Sequence, residues 1–174
     1  MAGNDGTAME KPWLSVITPC RNGQRWLAAA LQSIVDQREQ GIEVLFVDAS
    51  TDNACLDIVD TFAHQLNIRT FHRTDLSYVA GTNFGVEQAS GDHICILHAD
   101  DLWLPDRCVQ LRKWLCARPD AVMHLHSCYI IDEAGRRLGL WRCPLPSGDT
   151  PVLARTLFER LLVQNFISTP TITI

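Results

Sequence analysis

The sequence predicts an α/β fold, a mainly parallel sheet flanked by helices. Three observations carry that prediction. Short, almost wholly apolar runs recur at residues 14–18, 43–47 and 93–97, as strands buried on both faces require. Segments with apolar residues three and four apart separate them. Strand-like and helix-like segments alternate from residue 14 to 118, and alternation of that kind calls for crossovers between parallel strands.

The elements follow in order. Residues 14–18 are a β-branched strand stopped by Pro19. Leu27, Ala30, Leu31, Ile34 and Val35 mark a helix over 26–35. The strand at 43–47 ends in Asp48. A second helix is expected over 53–66, with Leu56, Val59, Ala63 and Leu66 along one side. A short strand over 68–71 and a helix over 78–89, ended by Gly91, come next. The run at 93–97 is closed by His98-Ala-Asp-Asp101. Pro105 suits the first turn of a helix reaching about Arg118. Residues 122–131 and 137–141 read as strands joined through Asp132-Glu-Ala-Gly135. Thr150-Pro151 opens a helix ending near Val163, in N-cap and N1 order. Residues 169–174 read as one more strand, in which the chain stops. An unfinished strand of that kind leaves an edge open to pairing between copies, so a homo-oligomer is expected. Residues 1–12 read as a polar, flexible tail, and residues 13–174 as one domain.

Composition excludes several classes. The 174 residues hold 15 Lys+Arg and 20 Asp+Glu, a net charge of −5, and 47% are hydrophobic. That is enough for a core, so disorder is excluded. An acidic balance argues against a nucleic-acid partner. No apolar run reaches the ~18–20 residues of a membrane span, and the start lacks a signal-peptide core. Cys20, Cys55, Cys95, Cys108, Cys116, Cys128 and Cys143 are odd in number and form no C-x-x-C pair. That pattern fits a reducing, cytoplasmic setting better than a disulfide framework.

Ligands of open α/β sheets bind at the carboxyl ends of strands, so chemistry is sought there. No G-x-G-x-x-G, P-loop or G-x-S-x-G motif is present. Without a glycine-rich cradle, a diphosphate needs a divalent cation held by carboxylates. Asp100 and Asp101 are the candidates, because two adjacent carboxylates repel unless a cation lies between them. The same spacing fits capping of the next helix equally well, with Asp101 as the cap and Asp100 toward the metal. Asp48 suits hydrogen bonds from a ribose or a base. Asp52 reads as a helix cap. His124, His126 and Cys128 share one face of a strand, but their spacing lacks a fourth ligand. Trp103 adjoins the acid pair and is the tryptophan to test for sugar stacking, whereas Trp26, Trp114 and Trp141 read as packing. Cys20 lacks an activating partner for nucleophilic work.

Five segments in the right order resemble family 2 glycosyltransferases. Ser15-Val-Ile-Thr-Pro-Cys-Arg-Asn22 resembles the family's opening strand and P-T-Y-N turn. Leu31-Gln-Ser-Ile-Val-Asp-Gln37 is similar to its first helix, and residues 43–52 to its "EIIVVDDGSTD" segment. Gly81-Thr-Asn-Phe-Gly85 with Ala89-Ser-Gly-Asp92 resembles "A-R-N-x-G … A-x-G-D/E". Leu97-His-Ala-Asp-Asp101, with Trp103 and Pro105, resembles "D-x-D-D-x-W-x-P".

The resemblance implies a GT-A fold of Rossmann-like type, a nucleotide-diphosphate sugar donor, and Mn²⁺ or Mg²⁺. It implies donor contacts from Pro19, Cys20, Arg21, Asn22, Asp48, Ser50, Asn83, Asp100 and Asp101. It assigns the metal to Asp100, with Asp101 or His98 as further ligands. His98 replaces the first Asp of D-x-D and reads better as a strand-end residue. Thr82 and Gly81 replace the family's Arg and Ala. Inverting transfer to a sugar or lipid-linked acceptor, in polysaccharide or glycoconjugate synthesis, is implied, in the cytoplasm or peripheral to the inner membrane. The general base is expected beyond Ile174, in an acceptor-binding part absent from this chain, and Asp132, Glu133 and Asp149 read as turn or cap acids. The alternative is a non-catalytic nucleotide-sugar-binding module that needs a partner. A nucleotidyltransferase is disfavoured for want of a glycine-rich basic loop.

Overall fold

A computed structural model describes residues 11–146 and 151–174. The chain divides into two compact units between Pro105 and Asp106. Most of the expected tail, with Asp149 and Thr150, lies outside the described residues.

The first unit runs β1 (Leu14–Cys20), α1 (Gln24–Val35), β2 (Ile42–Asp48), α2 (Ala54–Asp60), β3 (Asn67–His72), α3 (Tyr78–Gln88) and β4 (His93–Ile96). Its strands pair in parallel in the order β3-β2-β1-β4. Every residue of β1 and β2 is buried, which is why both read as continuous apolar runs. β3 is the sheet edge and is largely exposed. From β1 the chain steps outward through β2 to β3 and then returns to set β4 on the other side of β1. That reversal opens a crevice at the carboxyl ends of β1 and β4.

Helices cover the sheet through small residues and apolar stripes. Leu27, Ala30, Leu31 and Ile34 form the buried face of α1. α3 rests on β1 and β2 through Gly85, where a Cβ would lie 2.4 Å from Ile17 Cγ2. A buried acid fastens the amino end of the sheet. Glu43 accepts hydrogen bonds from Ser15 Oγ at 2.6 Å, Ser90 N at 2.6 Å and Ser90 Oγ at 2.8 Å. Arg69 Nη1 stands 3.5 Å from its other oxygen. Burial pushes the Glu43 carboxyl up, but the Ser15 and Ser90 hydrogen bonds and the Arg69 charge outweigh it and hold the group below its ordinary value. Gly91 is required beside it, since a Cβ there would meet Ser15 Oγ at 2.7 Å and Ser15 N at 2.8 Å.

The second unit contains α4 (Arg107–Ala117), β5 (His124–Leu125), β6 (Cys128–Ile131), β7 (Arg137–Trp141), α5 (Ala154–Val163) and β8 (Ile172–Thr173). β5 and β8 pair antiparallel. β6 and β7 form a hairpin whose turn uses Gly135 at φ +76°. Asp132 Oδ1 accepts from Ala134 N and Arg136 N in that turn, so Asp132 is a turn acid, as expected.

Several boundaries differ from expectation. The helix expected to open at Thr150-Pro151 begins at Ala154, with Leu153 as its N-cap residue, so Pro151 is not its first helical residue. The helix expected over 53–66 ends at Asp60, where the Thr61 hydroxyl donates to the Ile58 carbonyl and helps close the last turn. The strand expected over 122–131 breaks in two, because His126 N donates to Thr171 O and leaves the line of β6. The last expected strand begins instead as a 3₁₀ turn at Thr169–Thr171, since Pro170 suits a first helical turn better than a ladder. Among the described residues, no helix is long and apolar enough to cross a membrane.

Candidate functional site

The crevice between the ends of β1 and β4 is a cavity of about 380 Å³. Pro19, Cys20, Arg21 and Asn22 line it from β1, and His98 and Asp100 from β4. Trp26 of α1 and Tyr78 of α3 add aromatic surface to the lining.

The β1 side is shaped by backbone constraint. Asn22 adopts φ +55°, a left-handed conformation that Asn tolerates better than most residues. Its N–H donates to Ser50 Oγ at 2.8 Å, and Ala49 N donates to Cys20 O at 2.8 Å. The loops after β1 and β2 are thereby tied together. Asp48 ends β2 fully buried. It accepts from Ser50 N at 3.1 Å and Ser50 Oγ at 2.5 Å, and its other oxygen lies 3.0 Å from His72 Nδ1. Asp48 and Ser50 therefore lie behind the cavity wall rather than in its lining. Burial, then the facing Cys55, pushes the Cys20 thiol up to about 12, the opposite of an activated nucleophile.

The β4 side carries the acids. Ligand atoms of His98, Asp100 and Asp101 all lie within 4.8 Å of one another. Asp101 N closes a turn onto His98 O at 3.1 Å, and Asp101 Oδ2 lies 3.0 Å from His98 Nδ1. Asp101 is therefore not the expected helix cap. α4 starts only at Arg107 after the N-cap residue Asp106, which makes no side-chain cap bond. The Asp101 carboxylate is turned to His98 instead. Asp52 stands one residue before Asn53, the N-cap residue of α2, and its Oδ1 accepts from Ala54 N at 3.0 Å.

Several residues sit where the sequence alone did not put them. Tyr78 OH lies 2.6 Å from His98 Nε2, and Trp26 lines the cavity beneath the Arg25 guanidinium, 4.9 Å from its ring. Only the approach of α1 and α3 to the strand ends could reveal them. Trp103 is buried and its backbone N–H donates to Ser33 Oγ at 3.1 Å, so it packs inside the unit instead of presenting a face to a sugar. Asn83 is exposed on α3 and outside the lining. Thr82 Oγ1 donates to Tyr78 O at 2.9 Å and brings no charge to the cavity. His124, His126 and Cys128 do not converge. His126 faces Ser127 O and stands 6.0 Å from the Trp114 ring, and Cys128 Sγ faces Ser168 Oγ at 3.9 Å. Among the described residues, the candidate metal groups are His98, Asp100 and Asp101, and Cys20, Asp48 and Cys55. Two carboxylates and an imidazole are a donor set that suits Mn²⁺ or Mg²⁺. With both His98 nitrogens engaged, Asp100 and Asp101 are the fitting donors.

Comparison with known proteins extends this geometry. The sequence matches the family described as Glycosyl transferase family 2 over residues 15–165. It is 30% identical over 124 residues to the glycosyltransferase GlyG of Streptococcus pneumoniae, covering 70% of this chain and 40% of that protein. S. aureus TarS 1–349 in complex with UDP-GlcNAc is similar at TM-score 0.54 and 23% identity, over 61% of this chain and 32% of that one. The mannosyltransferase PcManGT from Pyrobaculum calidifontis, in complex with GDP-Man and Mn²⁺, is similar at TM-score 0.51 and 23% identity, over 71% and 37%. These solved structures share the GT-A fold expected of the sequence. The chain spans between 16% and 40% of the length of the curated relatives it matches. A parallel sheet with an acid-bearing crevice at its switch point, matched by one family over residues 15–165, leads to one assignment: the chain belongs to glycosyl transferase family 2.

Proposed function

We propose that this chain is the donor-binding part of a glycosyltransferase that takes a nucleotide-diphosphate sugar with Mn²⁺ or Mg²⁺. The observation that carries the reading is the convergence of His98, Asp100 and Asp101 at the β4 end of the switch-point cavity. Arg21 is the one Lys or Arg among the lining residues, so a diphosphate there needs further positive charge. A divalent cation, when bound, supplies it and stabilises the leaving diphosphate.

The residues divide the work. Pro19, Cys20, Arg21 and Asn22 border the nucleobase, while Asp48 and Ser50, behind the lining, brace the loop that carries them. Asn83 is the outlying donor contact carried over from the family pattern. Asp100 and Asp101 hold the cation, and His98, gripped by Tyr78, orients Asp101. Inverting displacement at the anomeric carbon onto a sugar or lipid-linked acceptor hydroxyl follows, in polysaccharide or glycoconjugate assembly. Deprotonation of that hydroxyl needs a base within hydrogen-bond reach.

Calorimetric titration with UDP-, GDP- and dTDP-sugars, with and without Mn²⁺, tests the reading. One donor is expected to bind in a manganese-dependent way, and Asp100→Ala to lose most of that dependence. Equal binding by parent and Asp100→Ala would sink it.

A further inference from the structure

At the cavity wall, which Cys20 lines, Cys20, Asp48 and Cys55 bring three ligand atoms within 4.8 Å of one another, all from buried residues. They come from three separate elements: the end of β1, the end of β2 and the first turn of α2. The two sulfurs lie 3.6 Å apart. Two thiolates bound at about 2.3 Å to one tetrahedral zinc are themselves about 3.8 Å apart. The pair, in thiol–thiol contact, stands close to that spacing and well beyond the ~2.05 Å of a disulfide. The carboxylate is held through both of its oxygens, as hydrogen-bond partners hold a metal-bound carboxylate, and Ser50 Oγ also lies 3.5 Å from Cys55 Sγ. His72 Nδ1 faces one oxygen at 3.0 Å, while Ser50 N and Oγ hold the other. Gln24 Oε1, 3.9 Å from Cys55 Sγ, adds a neutral oxygen at the margin.

We propose that Cys20, Cys55 and Asp48 form a second cation site, for a thiophilic divalent ion of the zinc class. Two sulfurs and one oxygen suit Zn²⁺ or Cd²⁺ and disfavour Mg²⁺. The site is thus distinct in chemistry from the oxygen-rich group at His98, Asp100 and Asp101, and it does not depend on what that group binds. On capture, each thiol gives up its proton to solvent and each sulfur forms a bond to the ion. No electrons change hands.

Cobalt titration of the reduced full chain tests the site. The expected result is a thiolate-to-cobalt charge-transfer band that saturates at one equivalent. Zinc abolishes it and excess Mg²⁺ does not. Cys20→Ser and Cys55→Ser each remove the band, and Asp48→Asn weakens capture by roughly tenfold or more. Asp100→Ala and Cys128→Ser keep it. Absence of the band from the parent, or its survival in the Cys20→Ser/Cys55→Ser double variant, overturns the proposal. Should the serine variants unfold, zinc-edge X-ray absorption of the parent decides. Two sulfur neighbours at about 2.3 Å support the site, and a shell of oxygen and nitrogen alone overturns it.

Discussion

The Tyr78 hydroxyl and His98 Nε2 stand 2.6 Å apart, and that contact fixes how His98 behaves. With the phenol as donor to Nε2, the matching tautomer carries its proton on Nδ1, which then donates to Asp101 Oδ2, 3.0 Å away. The residue that stands in place of a family aspartate is thus held as a bridge. Tyr78→Phe is expected to leave the fold intact, because the ring edge is exposed. Loss of about 1 kcal/mol of hydrogen bonding should loosen Asp101 and weaken manganese-dependent nucleotide binding by roughly three- to tenfold. Calorimetry on parent and variant measures this, and unchanged affinity would leave the bridge without a role in binding.

Cation removal should act through the neighbouring acids. With both His98 nitrogens engaged, chelation by EDTA is expected to abolish nucleotide-sugar binding, and Mn²⁺ to restore it. Asp101→Asn should need several-fold more Mn²⁺ for the same restoration. Manganese paramagnetic relaxation during the titration reads the difference directly.

Asp48 is expected to be structural as well as functional. Asp48→Ala leaves the buried Ser50 hydroxyl and N–H without their acceptor, whereas His72, 40% exposed, can turn to water. Stranded polar groups of this kind cost about 1–3 kcal/mol. The urea midpoint should fall accordingly, and His72→Ala in the same background should add less than it does in the parent.

The Glu43 fastening gives a pH signature. Its carboxyl is held below the ordinary value of 4.5 in the folded chain. The charged form therefore contributes stability that is fully present above the unfolded value and is lost as pH falls through the folded one. Stability should decline as pH drops below about 4.5, and Glu43→Gln should flatten that part of the profile at the expense of lower stability at pH 7. Denaturation midpoints from pH 7 to 3 measure both effects.

Close packing of α3 predicts a further cost. A Cβ at Gly85 would sit 2.4 Å from Ile17 Cγ2 and 3.4 Å from Val47 Cγ2. Gly85→Ala is expected to destabilise by about 1–3 kcal/mol through overpacking, read as a lower melting temperature. Gly135→Ala is a useful contrast. Space is open there, but φ is +76°, so its cost is backbone strain confined to the β6–β7 turn.

Much of the first unit was legible without coordinates. β1 and β2 are apolar because both faces are covered, and a buried strand advertises itself in one dimension. The acids at 48, 100 and 101 follow those strands directly, so their place at the sheet rim could be read from order alone. Residues 122–131 could not be read so well. Their apolar character is compatible with one strand, and it took a hydrogen bond from His126 to distant Thr171 to break it.

Local pattern therefore determined the order of elements, the parallel sheet and the acids at its rim, because periodicity and strand-end position are properties of neighbouring residues. Tertiary structure decided who meets whom. Tyr78 reaches His98, Cys20 reaches Cys55, Ser90 reaches Glu43, and Asp101 turns to an imidazole in place of a helix end. Those pairings depend on how α1, α2 and α3 are seated on the sheet, and nothing in the spacing of either partner along the chain encodes the distance between them.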